Sequence, residues 1–297
     1  MNSIPLSNGI QHTIITTNGI NLHVVQAGDP KGKLVILLHG FPEFWYGWRK
    51  QIPRLASAGY RVWVPDQRGY NLSAKPKGLP AYSLNQLAGD VIGLIDAAGV
   101  EQALLVGHDW GAAVAWWTAQ NYPERISRMV VMNVPHGLVM KKHLRSSLSQ
   151  LEKSWYMFFF QIPWIPELLI RAQNWKIAAR TLVGTSERGA FSKDDIFKYK
   201  QAWSQPGAIQ ALLNWYRALL RRPARPINGP RIKVPTLLIW GAQDRFLGRE
   251  MAHPSIEFCD QGKLIFIEEA THWVQHEASE RVNQLIVDFF CEPKQAG

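Results

Sequence analysis

The sequence predicts an α/β protein with a mostly parallel, doubly wound β-sheet and an inserted block of helices. Short, uniformly apolar runs recur along the chain, with helix-length segments between them. Strands this apolar are buried on both faces, as in a parallel sheet covered by helices. The alternation breaks between His136 and about Gly229, where the pattern is helical and rich in aromatic residues.

The predicted elements begin with a β-hairpin within residues 1–28. The segments HTIITT and NLHVVQA alternate on either side of Asn18-Gly19, a sequence typical of two-residue turns. Six buried strands follow at residues 34–38, 61–65, 103–106, 128–132, 236–240 and 263–267. Residues 84–98 and 110–121 are helix-length segments between them.

The helical interruption divides the chain into two predicted domains. Residues 1–135 and 231–297 form the core domain, and residues 136–230 form a helical cap inserted between two strands of its sheet. In open α/β sheets the ligand lies beyond the carboxyl ends of the strands, so we expect the cap to close that crevice.

The composition is that of an ordinary globular protein, with 46% hydrophobic and 19% charged residues. These fractions exclude disordered and collagen-like chains. Cys259 and Cys291 are too far apart for a CxxC motif, so we expect two reduced thiols that are buried or half-buried. No signal-peptide pattern and no apolar run of about 20 residues is visible, so we expect no membrane span and a cytoplasmic location.

The net charge of +10 raises the question of an anionic partner. No nucleic-acid-binding motif accompanies the basic residues, so we expect no nucleic-acid partner. The densest basic cluster comprises Arg217, Arg221, Arg222, Arg225, Arg231 and Lys233. Proline and glycine interrupt this cluster, which favours a solvated loop, with contact to an anionic surface as the alternative.

A carboxylate occupies the position of a nucleophile after the third buried strand. In GHDWG (residues 107–111) the glycines lie two residues before and after Asp109, where a tight strand-to-helix turn excludes side chains. The helix N-terminus favours negative charge on Asp109. A helix N-cap is the alternative for Asp109 alone, but the flanking glycines favour a nucleophile elbow.

Two further residues complete a predicted catalytic triad at the same edge of the sheet. Asp244 follows the fifth buried strand and His272 the sixth, in the chain order expected for this turn. Asn133 and His136 follow the fourth strand, so Asp244 is the preferred acid. His276 is a rival base, for which a surface or helix-capping role is favoured.

The turn after the first buried strand reads HGFPE (residues 39–43). Its glycine allows the backbone N–H of Phe41 to point at the nucleophile, and with the N–H of Trp110 it would form an oxyanion hole. The Phe41-Pro42 bond is a candidate for the cis form. His39 is expected to form structural hydrogen bonds.

With these motifs the chain resembles the α/β-hydrolase-fold epoxide hydrolases over essentially its whole length. The matching segments are HGFPE, DQRGY (66–70), GHDWG, SWYMFFFQIP (154–163), SQPGA (204–208), NWYR (214–217), WGAQD (240–244) and THW (271–273). Dehalogenases share HGFP and GHDWG, so the cap tyrosines discriminate better. Asn71 stands where this family usually has glycine, and asparagine tolerates a positive φ.

The resemblance implies conversion of epoxides to vicinal diols through an ester on Asp109, which water activated by His272 and oriented by Asp244 then cleaves. It also implies that Tyr156 and Tyr216 hydrogen-bond the epoxide oxygen, although the residues alone favour packing in the cap. We expect a substrate pocket lined by Trp110, Trp155, Phe160, His39 and Pro42.

We expect no cofactor and no metal, because phosphate-binding glycine motifs are absent. The expected partners are a small apolar or aryl epoxide and water, with the chain as a monomer or homodimer. The nearest alternative is a haloalkane or haloacetate dehalogenase, which uses the same triad. Phe41 and Trp155-Tyr156 depart from its halide-binding pattern. A non-catalytic binding protein on the same scaffold commonly loses a triad member, and none is lost here.

Overall fold

The sheet contains nine strands in a computed structural model that describes residues 4–5 and 9–293. The strands are β1 (Ile4–Pro5), β2 (Gln11–Thr17), β3 (Ile20–Gly28), β4 (Leu34–Leu38), β5 (Arg61–Pro65), β6 (Ala103–His108), β7 (Ile126–Met132), β8 (Thr236–Gly241) and β9 (Gly262–Ile267). Their order is β1-β2-β3-β5-β4-β6-β7-β8-β9. The six strands from β5 to β9 in this order are parallel, which confirms the predicted fold class.

The predicted hairpin is the antiparallel pair β2 and β3. Asn18 and Gly19 at its turn have φ of 46° and 74°, as a two-residue hairpin turn requires. β3 then pairs antiparallel with β5 and so joins the hairpin to the parallel strands. The parts of the predicted hairpin and domain limits that fall on residues 1–3, 6–8 and 294–297 lie outside the described residues.

Helices cover both faces of the parallel sheet. The core helices are α1 (Gln51–Ser57), α2 (Leu84–Ala97), α3 (Trp110–Asn121), α10 (Ala252–Ile256), α11 (Val274–Glu277) and α12 (Ser279–Cys291). On β4, Ile36 packs in one apolar cluster with α2 and α3, while Leu37 packs in a second with α1 and α12. Neighbouring residues of one strand are therefore buried on opposite faces, which explains the uniformly apolar strand sequences.

Six helices and no strand lie between β7 and β8 in the described part of the chain. They are α4 (Gly137–Ser146), α5 (Leu148–Lys153), α6 (Trp155–Phe159), α7 (Ile165–Gly184), α8 (Lys193–Trp203) and α9 (Ala208–Arg221). Non-helical backbone at residues 172–175 breaks α7. Trp203 donates its indole N–H to the carbonyl of Pro42, and Trp215 donates to that of Arg68. These bonds hold the helices against core loops, while the limits of residues 136–230 as a separate domain stay a prediction.

The prediction of a solvated loop from Arg217 to Lys233 is wrong for the first residues of this segment. Arg217 is buried on α9, where its guanidinium lies 2.6 Å from Glu167 and donates to the backbone carbonyl oxygens of Phe160 and Ile162. The helix continues to Arg221 because the first proline of the segment comes two residues later. Only the later part of the segment is irregular.

Both cysteines are free thiols, as predicted, and Cys259 is buried. Cys291 is exposed, so the prediction that it is buried or half-buried is wrong. Burial raises the pKa of Cys259 to about 11, so this thiol stays protonated at neutral pH. Within the described residues no helix is both long enough and apolar enough to cross a membrane.

Candidate active site

Asp109 lies in a strained turn between β6 and α3, with φ of 50° and ψ of −124°. A positive φ is costly for a residue with a side chain, so close packing around the turn must impose it. A Cβ on Gly40 would lie 2.3 Å from the Asp109 Cβ, and one on Gly111 would lie 2.0 Å from the Leu38 carbonyl oxygen. These two glycines therefore let the turn approach β4 and point the Asp109 carboxylate outward, where 14% of it is exposed.

The structure brings together the three residues of the predicted triad. Nδ1 of His272 lies 2.7 Å from Oδ2 of Asp244, and Nε2 lies 3.5 Å from Oδ2 of Asp109. One imidazole therefore bridges the two carboxylates with its two ring nitrogens. This arrangement suits a general base that is held by an acid and faces a nucleophile.

Asp244 is fixed by four hydrogen-bond donors. The backbone N–H groups of Phe246 and Leu247 donate to Oδ1 across 2.7 and 2.9 Å. His272 and the side-chain amide of Asn133 donate to Oδ2. Burial opposes ionisation, but the charge of His272 and these hydrogen bonds lower the pKa of Asp244. This role of Asn133 was not predicted from the sequence, in which only its position after β7 could be recognised.

His272 is buried between opposite charges that control its protonation. Burial lowers its pKa, but the negative charges of Asp244 and Asp109, with the hydrogen bonds to them, outweigh burial and raise the pKa to about 10. The imidazole is therefore protonated at neutral pH while both carboxylates are charged. Loss of one carboxylate charge would lower this pKa and favour the neutral ring.

The backbone N–H of Phe41 donates to Oδ1 of Asp109 across 2.6 Å, which is one contact expected of the predicted oxyanion hole. Trp110 is the first residue of α3, so its N–H has no acceptor within that helix. The Phe41-Pro42 peptide bond is cis, as the sequence suggested. Asn71 adopts a φ of 40°, so the DQRGYN loop keeps the backbone that a glycine would allow.

The two cap tyrosines meet near the nucleophile elbow. The ring of Tyr216 packs edge-on against Trp110, with centroids 5.0 Å apart, and lies 5.9 Å from the ring of Tyr156. Burial and the charge of Asp109 raise the pKa of both phenols, well above the usual range for Tyr216. Both hydroxyls are therefore protonated at neutral pH and able to donate a hydrogen bond.

The residues predicted to line the substrate pocket occupy different positions. Phe160 packs against Phe41, Tyr156 and Tyr216 at the inner side of the cap. Trp110 packs against Tyr216 in the same region. Pro42 is half-buried and directly follows Phe41 in the chain.

His39 and Trp155 make their described contacts elsewhere. His39 is fully buried, where Nε2 accepts from the Gln67 N–H and the ring packs on Tyr70. Trp155 is 62% exposed and its ring packs on Phe159. The place of both residues in the substrate pocket stays a prediction.

A buried polar cluster around Glu43 lies behind the triad. Oε1 of Glu43 accepts from the Tyr199 hydroxyl across 2.6 Å and from Nε2 of His276 across 2.7 Å, while Oε2 accepts from the Gln275 amide. Gln275 also donates to His108, whose other ring nitrogen contacts the His272 carbonyl oxygen. The cluster thus connects α8 of the cap to the backbone of the predicted base.

The predicted surface or capping role of His276 is wrong, because its ring is buried against Glu43. Arg49 donates to its Nδ1 across 3.1 Å, which leaves the proton on Nε2 for Glu43. Burial lowers the pKa of His276, in agreement with a neutral ring. This contact could not be predicted from the sequence, because Glu43 lies 233 residues earlier in the chain.

Known proteins are similar to this chain in sequence and in fold. The profile of the alpha/beta hydrolase fold family matches residues 33–279. Epoxide hydrolase 4 of Homo sapiens is 36% identical over 284 residues, which cover 94% of this chain and 78% of that protein. The chain belongs to the epoxide hydrolase family of the α/β-hydrolase fold. The resemblance indicated by the sequence motifs is therefore confirmed.

Members of the epoxide hydrolase family also match in three dimensions. A crystal structure of the Bacillus megaterium epoxide hydrolase with an inhibitor superposes with a TM-score of 0.86 and 32% identity, covering 94% of this chain and 100% of that chain. The AB hydrolase superfamily protein YfhM of Bacillus subtilis (strain 168) is 47% identical, covering 95% of this chain and 98% of that protein. Matches over nearly the full length indicate that the family fold includes the helices between β7 and β8.

Proposed function

We propose that the protein hydrolyses epoxides to vicinal diols through a covalent ester on Asp109. The observation that carries this proposal is the position of the Asp109 elbow. It has the His272–Asp244 pair on one side and the phenols of Tyr156 and Tyr216 nearby. A carboxylate nucleophile, a base and two acids are the groups that epoxide opening and ester hydrolysis require.

In the first step, Oδ2 of Asp109 attacks an epoxide carbon, and the carbon–oxygen bond of the ring breaks. Oδ1 accepts a hydrogen bond from the Phe41 N–H, so we assign the attack to the other carboxylate oxygen, Oδ2. Negative charge develops on the epoxide oxygen, and the hydroxyls of Tyr156 and Tyr216 donate to it. Their raised pKa values keep both groups protonated until that charge appears.

In the second step, water attacks the carbonyl carbon of the ester. Ester formation has removed the charge of Asp109, so the pKa of His272 falls and its proton passes to the phenol that protonated the epoxide oxygen. The neutral ring then accepts a proton from the attacking water. The oxyanion forms on Oδ1, beside the N–H groups of Phe41 and Trp110, each worth about 3 kcal/mol in such a site. The bond from the carbonyl carbon to Oδ2 breaks, and Oδ2 leaves in the diol with the second proton of the attacking water. Asp109 is left as a carboxylate that carries the water oxygen, beside a protonated His272.

The preferred substrate of this proposal is a small apolar or aryl epoxide. The rings of Phe41, Phe160, Tyr156 and Tyr216 pack around the place where the substrate oxygen would lie. Aromatic walls favour apolar ligands, while the two hydroxyls supply the polar contacts that orient the ring oxygen.

A product assay tests the reaction class. The protein is incubated with aryl and alkyl epoxides, and in parallel with a haloalkane and a haloacetate, and both diol and halide are measured. We expect diol formation that Asp109→Asn abolishes. Halide release without diol would assign the triad to dehalogenation instead. The absence of both diol and halide would support the non-catalytic alternative.

Isotope labelling tests the covalent route. A single turnover in ¹⁸O-water with excess protein should yield unlabelled diol, because its new oxygen comes from Asp109, and the label should remain in the protein. If His272 instead activated water for direct attack on the epoxide, the first diol would carry the label. That result would overturn the role assigned to Asp109 and leave the overall reaction unchanged.

A further inference from the structure

The outer face of the cap is apolar to an unusual degree. Of the 17 large apolar side chains that are exposed among the described residues, 15 lie in residues 137–230. Large exposed apolar patches on soluble proteins mark binding surfaces, whereas scattered single residues do not. The cap therefore presents a binding surface distinct from its inner face.

The exposed apolar residues follow a helical stripe. The stripe comprises Leu148, Leu151, Trp155, Phe158 and Ile162, spaced three and four residues apart along α5, α6 and the turn after them. This spacing places side chains on one face of a helical segment. In a soluble helix such a face packs against the core, but here it points to solvent.

The beginning of α7 extends the stripe. Trp164, with 74% of its side chain exposed, precedes Ile165, Leu168 and Leu169, which are also exposed. We call these residues and the stripe the apolar cap surface. The inner side of α6 carries Tyr156, so the two faces of one short helix point to the active site and to solvent.

The cap also carries the whole net charge of the protein. Residues 137–230 contain 15 lysines and arginines and five acids, a net +10, and the remaining sequence contains 18 of each. Exposed cations lie on both sides of the apolar cap surface along the chain, at Lys141, Lys142, Arg145, Arg171, Lys176 and Arg180. Arg221 also donates to the Gln161 carbonyl and so lies beside the stripe.

We propose that the apolar cap surface docks the protein on an anionic lipid bilayer. Surfaces that combine exposed tryptophan and leucine with surrounding lysine and arginine insert their apolar side chains at the lipid headgroup boundary. Each basic residue near such a surface adds attraction to anionic lipids. The inference does not depend on the catalytic proposal, because none of these side chains belongs to the triad.

A second copy of the chain is a less suitable occupant. A symmetric dimer through this face would place the same patch of each chain opposite itself. Two segments of +10 would then face each other, and like charges at an interface oppose association. An anionic membrane satisfies both the apolar and the charged part of the surface.

Vesicle binding tests the proposal with the full chain. We expect at least about 10-fold stronger binding to phosphatidylcholine vesicles with about one third phosphatidylglycerol than to phosphatidylcholine alone, and weaker binding at high salt. Equal binding to both vesicles, or no binding to either, would overturn the proposal.

Substitutions locate the docking face. The triple variant Trp155→Gln/Trp164→Gln/Leu168→Gln should bind anionic vesicles at least about 10-fold more weakly than the unmodified chain. The matched control Ile14→Gln/Leu72→Gln removes two apolar side chains that are 54% and 55% exposed on the core, and should bind as the unmodified chain does. Similar losses in both variants would contradict the assignment to the cap.

A charge variant and the oligomeric state complete the test. Lys141→Glu/Lys142→Glu/Arg145→Glu leaves the apolar residues in place and should abolish the preference for anionic vesicles, which keeps the test decisive if the triple variant fails to fold. Sedimentation velocity should give a monomer for the unmodified chain. If the unmodified chain formed a dimer and the triple variant did not, the face would be assigned to a second copy. If both proteins bound DNA, the positive charge would be assigned to nucleic acid. Either result would overturn the proposal.

Discussion

Asn133 donates from Nδ2 to Oδ2 of Asp244 across 2.8 Å, the same carboxylate oxygen that accepts from His272. The side-chain amide oxygen Oδ1 of Asn133 accepts from the Gly241 N–H across 3.0 Å. The asparagine thus links the end of β7 to the end of β8 and fixes the acid of the predicted triad. Its φ of 51° explains why asparagine suits the position, since few other residues adopt this backbone easily.

Replacing Asn133 with glycine should slow ester hydrolysis by about 10-fold, because Asp244 loses a hydrogen bond to its charged oxygen. Glycine retains the positive φ, so the backbone is preserved. Single-turnover kinetics would measure formation and decay of the ester separately. The matched control is Asn71→Gly, which removes an asparagine of positive φ that donates to Asp66 instead. An equal slowing in both variants would mean that Asn133 acts only through overall stability.

His272→Gln should allow ester formation and stop its hydrolysis, because glutamine cannot accept the proton of the attacking water. Mass spectrometry should then find the tryptic peptide of residues 78–125, which contains Asp109, heavier by the mass of the epoxide.

The control for this prediction is His276→Gln, which changes the histidine bound to Glu43. It should turn over without accumulating the adduct, even if its stability falls. Accumulation in His276→Gln and continued turnover in His272→Gln would exchange the roles of the two residues.

The sheet and the elbow were predictable because their determinants are local. Strands buried on both faces have uniformly apolar sequences, and the glycines around Asp109 are within two residues of it. Asp244 and His272 could be placed because the carboxyl ends of parallel strands share one edge of the sheet. The local pattern therefore identified residues that are 135 and 163 positions beyond the nucleophile.

The predictions for His276 and Arg217 were wrong because their contacts in the fold are with residues far away in the sequence. Nothing near His276 in the sequence indicates a buried partner at Glu43, and nothing near Arg217 indicates the ion pair with Glu167. The same holds for Asn133, whose importance depends on a loop 111 residues away. Long-range pairing of buried polar groups is visible only once the fold brings them together.

Tyr156→Phe and Tyr216→Phe should each slow ring opening by about 10- to 100-fold, and the double variant should nearly abolish it. Each substitution removes a hydroxyl that donates to the developing charge while it keeps the aromatic ring in place. Rates of ester formation, measured under single-turnover conditions, report this step directly.

Tyr199→Phe is the matched control for the tyrosine variants, because this buried cap tyrosine donates to Glu43 rather than toward Asp109. It should cost about 1 kcal/mol or more in the free energy of unfolding and leave ring opening near its original rate. Ring opening that survives in the double variant would remove the phenols from the proposed mechanism.

The ionisation of His272 offers a test that needs no substrate. In the unmodified protein the imidazole of His272 should titrate with a pKa of about 10, because the charges of Asp244 and Asp109 outweigh the effect of burial. Asp109→Asn mimics the neutral ester, so it should lower that pKa. NMR of ¹⁵N-labelled histidine would measure both values, with His272→Gln to assign the resonance. Glu167→Gln removes a carboxylate that pairs with Arg217 instead, and should leave the His272 titration unchanged.

The same ionisation should appear in the stability of the fold. The folded-state pKa of His272 is raised above its ordinary value of 6.5, so the folded protein binds this proton more tightly than the unfolded chain. The resulting stabilisation is fully present below about pH 6.5 and is lost as the pH rises toward 10. Urea unfolding from pH 6 to 10 should therefore show a decline that is smaller in Asp109→Asn, where the pKa is closer to its ordinary value. Identical pH profiles for the two proteins would show that Asp109 does not hold the proton on His272, and the proposed fall of its pKa on ester formation would have no basis.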